Sequence, residues 1–67
     1  MNADQHGALE RVRDACAVLR TFMHAQHTGV SALVWYDTYR QLTGDLMDAV
    51  LGARTAGIPE HIIYDST

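Results

Sequence analysis

Leu9, Val12, Cys16, Leu19 and Met23 follow one another at alternating intervals of three and four residues. That interval keeps side chains on one stripe of an α-helix and scatters them over both faces of a strand. No other feature constrains the chain as much, because the rhythm resumes at Ala32, Trp35, Tyr39, Leu42, Leu46, Ala49, Ala53 and Ala56. Two apolar stripes on two helices bury each other by pairing. The pattern therefore predicts an all-α fold, a small helical hairpin in a single domain over residues 1–67.

The ends of the elements follow from local chemistry. The first helix is expected from Ala3 to about His27, with Ala8, Ala15 and Phe22 widening its apolar stripe. Acidic Asp4, Glu10 and Asp14 come early and Arg20, His24 and His27 late, the order that suits the helix dipole. Thr28-Gly29 supplies a stop, with Gly29 free to take a left-handed C-cap conformation. Ser31 is a good N-cap for a second helix. Read by its spacing alone, that helix continues to Ala56. Gly44-Asp45 points to an interruption, because glycine costs about 1 kcal/mol inside a helix and Asp45, with Asp48 behind it, would start a new one. We expect a kink or break near Gly44. Gly57 is a C-cap candidate, Pro59 fits the first position of a short last helix, and Ile58, Ile62 and Ile63 would fold back as a lid. Asp65-Ser66-Thr67 is expected to fray.

Size and charge narrow the function classes. A chain of 67 residues buries only about 60% of its unfolded surface, so its core is marginal when it stands alone. Such scaffolds rely on disulfides, metal, oligomerisation or very regular helix packing. A single cysteine closes no internal disulfide. Net charge is −3 with neutral histidines, a field that draws in neither nucleic acid nor an anionic membrane. No apolar run is longer than that of Ala32 to Tyr36, far short of the roughly 20 residues of a membrane span. The opening Met1-Asn2-Ala3-Asp4-Gln5-His6 is polar and acidic rather than leader-like, and a lone Cys16 suits a reducing compartment, so a cytoplasmic location is expected. All five basic residues are arginine and asparagine occurs once, a bias that GC-rich codons produce. It points to a high-GC source such as an actinobacterium or its phage.

Little in the sequence suggests catalysis. Cys16 lies within the first apolar stripe with no histidine on the adjacent turns, where cysteine acts as a small hydrophobe. His24 and His27 are spaced to share a metal ion, yet no residue is fixed as a third or fourth ligand, with Asp37 and His61 the remote candidates. Asp37 can pair with Arg40, three residues on. We therefore expect no catalytic residues, no cofactor and no metal, and a protein that is not an enzyme.

Ala53-Arg54-Thr55-Ala56-Gly57-Ile58, with Ile63 beyond, resembles the middle of a helix-turn-helix, and the resemblance covers Asp45 to Tyr64. It implies a small DNA-binding regulator with Arg54 and His61 near phosphate. The segment departs from that pattern where it matters, since its recognition helix would carry Glu60 and Asp65 and neither lysine nor arginine.

Trp35, Tyr36 and Tyr39, with Phe22 on the first helix, form the richest group of binding-prone side chains. Successive residues cannot all face one way on a helix, so at least one of Val34, Trp35 and Tyr36 points away from the first helix. A second apolar face on so small a chain suggests a partner, most simply another copy. The expectation is a non-enzymatic interaction protein that dimerises into a helical bundle and docks on another protein, with Phe22, Trp35, Tyr36 and Tyr39 as contacts.

Overall fold

A computed structural model describes all residues, 1–67, as three helices in the order α1 (Ala3–His24), α2 (Ala32–Thr55) and α3 (Glu60–Asp65). α1 and α2 run antiparallel. The start of α1 meets the end of α2 through a hydrogen bond from Gln5 Nε2 to the Ala56 carbonyl (3.0 Å), and the far ends meet where the Phe22 ring packs on Trp35. α3 folds back against this pair, and the molecule is a rod of 44 × 18 × 16 Å.

Each terminus is set by identifiable groups. Asn2 Oδ1 accepts from the Gln5 backbone N–H at 2.9 Å and Gln5 Oε1 accepts from the Asn2 N–H at 3.1 Å, a reciprocal capping box. Ser31 caps α2 as expected, its hydroxyl accepting from the Val34 N–H. At the other end of α2, Gly57 has φ +87°, its N–H bonds to the Arg54 carbonyl, and the Ile58 N–H reaches back to the Ala53 carbonyl. That pair of bonds is a Schellman motif, and its characteristic apolar contact is made by Ile58 and Ala53, both in the core.

Several expectations are corrected. α2 runs unbroken through Gly44 for 24 residues. Leu42 on one side and Leu46, Ala49, Val50 and Ala53 on the other belong to one buried or half-buried stripe. Half-burial of Leu42, Leu46 and Val50 together contributes about 2–4 kcal/mol, more than the cost of one helical glycine of about 1 kcal/mol. A break would misalign everything beyond it. Thr43 does not compete for the backbone either, because its hydroxyl donates within the helix to the Tyr39 and Arg40 carbonyls. Asp45 and Asp48 are accordingly mid-helix residues rather than a helix start. They line a recess of about 270 Å³ with Arg11, Ala15 and Ala49.

α1 ends at His24, three residues earlier than its spacing suggests, and its C-cap is the extended Ala25 rather than Gly29. His27 Nε2 lies 2.7 Å from the Phe22 carbonyl and satisfies an acceptor that another turn of helix would otherwise have used. Gly29 does have positive φ (+83°), within the connection that follows. Pro59 occupies the N-cap of α3, one position before the expected one. Asp37 and Arg40 form no ion pair; the chain's one ion pair joins Arg54 to Glu60. The tail is docked, with the Thr67 carbonyl accepting from Arg20 Nη2 at 3.0 Å and from Cys16 Sγ at 3.3 Å.

The core lies at one end of the rod. Only Ala8, Leu9, Val12, Ala53, Ile58 and Ile63 are buried, with Leu46, Ala49, Val50, Ala56 and Ile62 packed around them. This closed end joins the first half of α1, the last half of α2 and α3, so the isoleucines act as the expected lid.

Candidate interaction surface

The remaining half of the hairpin has no third helix over it. Its side chains come from the end of α1, the 25–31 connection and the start of α2, and none is fully buried. Aromatic rings fill the space between the two helices there. Phe22 packs on His27 with ring centroids 4.4 Å apart and on Trp35 at 5.4 Å. Trp35 in turn stacks almost parallel on Tyr39, at 5.5 Å and 6°. Offset aromatic contacts of this kind add about 0.5–1.5 kcal/mol beyond the area they bury. They join α1 to α2 where aliphatic core is absent.

Three of the four expected contact residues, Phe22, Trp35 and Tyr39, therefore come together and are half-buried against one another, with an edge of each in water. Tyr36 does not join them and stands 57% exposed beside them, as does Val34. The inference that this run of α2 could not all face α1 holds. The sequence reading missed His27, whose ring completes the cluster while its Nε2 contacts the α1 terminus. The available signal was its position just past a helix whose last carbonyls need partners.

Beside the cluster runs an open, mainly apolar groove of about 570 Å³, with Val18, Phe22 and Ala25 on one wall and Thr38 and Leu42 on the other. A separate set of apolar side chains projects from the outside of α2: Leu33 is 82% exposed, Met47 66% and Leu51 52%. Together these surfaces can exclude water against a partner, and the groove is lined as well by the polar side chains of Thr21, His27 and Thr38.

The other candidate residues are dispersed. Cys16 is half-buried, contacted by Arg20 and turned toward the Thr67 carbonyl. His24 is exposed, and no three histidine, cysteine or acidic side chains converge on one point. Arg54, the phosphate contact of the helix-turn-helix reading, is paired with Glu60 of α3, while His61 is exposed on that six-residue helix. No helix is long and apolar enough to cross a membrane. Comparison with protein-family models, curated proteins and solved structures finds no match to this chain.

Proposed function

We propose that this chain is a non-enzymatic interaction module that works by self-association and by docking on another protein. One observation carries the reading: the surface is too large for the mass. A compact monomer of 7.4 kDa exposes about 4,200 Å² by the usual scaling, whereas this chain exposes 4894 Å². The excess of about 700 Å² belongs to an elongated rod whose open half leaves apolar side chains uncovered. The radius of gyration, 13.7 Å against about 10.9 Å for a compact chain of this length, agrees.

The contact residues of this reading are Tyr36 and the exposed edges of Phe22, Trp35 and Tyr39. Their neighbours Val18, Val34 and Leu33 extend the apolar surface. We read the module as a cytoplasmic accessory protein, with the arginine-only basic set favouring a high-GC bacterial or phage source.

Sedimentation equilibrium from about 5 to 200 µM tests the reading, because self-association follows mass action. The expected result is a mass that rises toward two chains, with Tyr36→Ala shifting the transition to higher concentration. A single-chain mass throughout would remove self-association. Binding to duplex DNA that weakens steeply between about 50 and 200 mM salt would replace the interaction module with the helix-turn-helix regulator.

A further inference from the structure

Leu33, Tyr36, Arg40, Gly44, Met47 and Leu51 step along α2 at intervals of three, four, four, three and four residues. At 3.6 residues per turn they share an arc of about 80°, centred roughly 140° round the helix from the stripe that faces α1. This second stripe extends about 27 Å from Leu33 to Leu51. Its four apolar side chains, Leu33, Tyr36, Met47 and Leu51, are 52–82% exposed. From this pattern we infer that the stripe is the self-association surface, and that it binds the same stripe of a second copy in antiparallel orientation. The inference rests on the proposed self-association and places it on the outer face of α2, which includes Tyr36 and Leu33 and leaves the edges of Phe22, Trp35 and Tyr39 for docking on another protein.

The stripe is its own complement when reversed. With one copy turned about the 43–44 peptide, Tyr36 meets Leu51 of the second copy. Arg40 meets Met47 there, with Asp48 beside it, and Leu33 meets the stem of Arg54. A two-fold interface requires this reciprocity, in which i contacts j and j contacts i. Charge selects the same orientation. Arg40 and Asp48 have no ion-pair partner within their own chain. Antiparallel pairing joins them twice per dimer, whereas parallel pairing would set Arg40 on Arg40 and Asp48 on Asp48.

Gly44 occupies the midpoint, where the two helices would cross. Nothing lies within 4 Å of the position a Cβ would take there, so no contact within the chain calls for glycine. Against a second helix, the missing side chain lets the axes approach toward the short end of the usual 8–10 Å range.

The test is sedimentation equilibrium of the full chain and four variants, with far-UV circular dichroism to confirm equal helicity. Met47→Glu places a charge in the stripe at an exposed site and should abolish the dimer. Arg40→Glu and Asp48→Arg should each weaken it about fivefold or more, since each places like charges together at two symmetric positions. The double variant Arg40→Glu/Asp48→Arg should return to within about threefold of the original constant, because it restores both pairs. A wild-type dimer indifferent to Met47→Glu and Arg40→Glu would overturn the α2 surface and leave self-association standing. Loss of the dimer on Met47→Glu without rescue in the double variant would overturn the antiparallel register. A wild-type chain that stays monomeric, even if another protein covers the stripe, would overturn both this inference and the proposed self-association.

Discussion

Val12 and Ile63 are the two largest side chains withdrawn completely from water, and both belong to the cluster that joins α1, α2 and α3. Ile63→Ala should therefore lower the unfolding free energy by about 2–4 kcal/mol through lost transfer energy and a residual cavity. In a domain this small, whose core supplies only about 3–5 kcal/mol, that loss should appear as reduced helicity before any denaturant is added. Leu33→Ala provides the contrast. Its side chain is 82% exposed, and under dilute conditions the change should stay within about 0.5 kcal/mol. Equal losses in urea titrations of the two variants would show that the lid carries no special share of the core. Gln5 has a different role. Its Oε1 accepts from the Asn2 N–H while its Nε2 donates to the Ala56 carbonyl, so one amide caps the start of α1 and the end of α2. Gln5→Ala removes both bonds and should cost about 1–2 kcal/mol by the same titration. A change below a few tenths would mean that water replaces the amide without loss.

Two glycines, one inside α2 and one just past its end, should respond to alanine with opposite sign. Gly44 has helical neighbours on both sides and open space at its Cβ position. Gly44→Ala should raise stability by about 0.5–1 kcal/mol, measured in a Met47→Glu background to keep self-association out of the reading. Gly57 holds φ +87° in the Schellman turn, where an L side chain is strained. Gly57→Ala should lower stability by about 1 kcal/mol or more. A destabilised Gly44→Ala would mean that α2 bends there in solution. The same pair shows what could be read from residue order. The Gly57 turn was legible, because a C-cap glycine, an apolar residue after it and a proline beyond form a local signal. The three-four spacing likewise identified both long helices, and Gly57 and Pro59 pointed to the isoleucine lid. Continuity through Gly44 was not legible, because it depends on packing against α1, a long-range term that outweighs the propensity of one residue. The premature end of α1 was hidden for a similar reason, since it rests on a single contact from His27 across the connection. For the candidate site, spacing alone required some aromatic or apolar side chain to face outward. The stacking of Trp35 on Tyr39, and the isolation of Tyr36 from both, needed the geometry of the hairpin.

The whole molecule is closed at one end and open at the other, and this asymmetry should govern how it opens. Local stability follows the density of buried apolar contacts, so different segments of one domain exchange their amide hydrogens at different free energies. In dilute solution the slowest amides should lie around Leu9 to Val12 and around Ala53, where six buried side chains meet. Amides near Phe22, and those from Val34 to Tyr39, are held mainly by one aromatic cluster and should exchange faster. Raising the concentration supplies a second copy, and a ligand that binds only the folded state adds stability by mass action. Uniform gain along the chain would indicate that association merely suppresses global unfolding. Contact along the outer face of α2 instead predicts an added increment over residues 33–51, strongest about Gly44, because local opening of that helix would also separate the pair. Hydrogen exchange at two concentrations thus distinguishes the two modes. Protection that grows first around Val18 and Phe22, with α2 following only the global trend, would locate the contact in the groove between the helices instead.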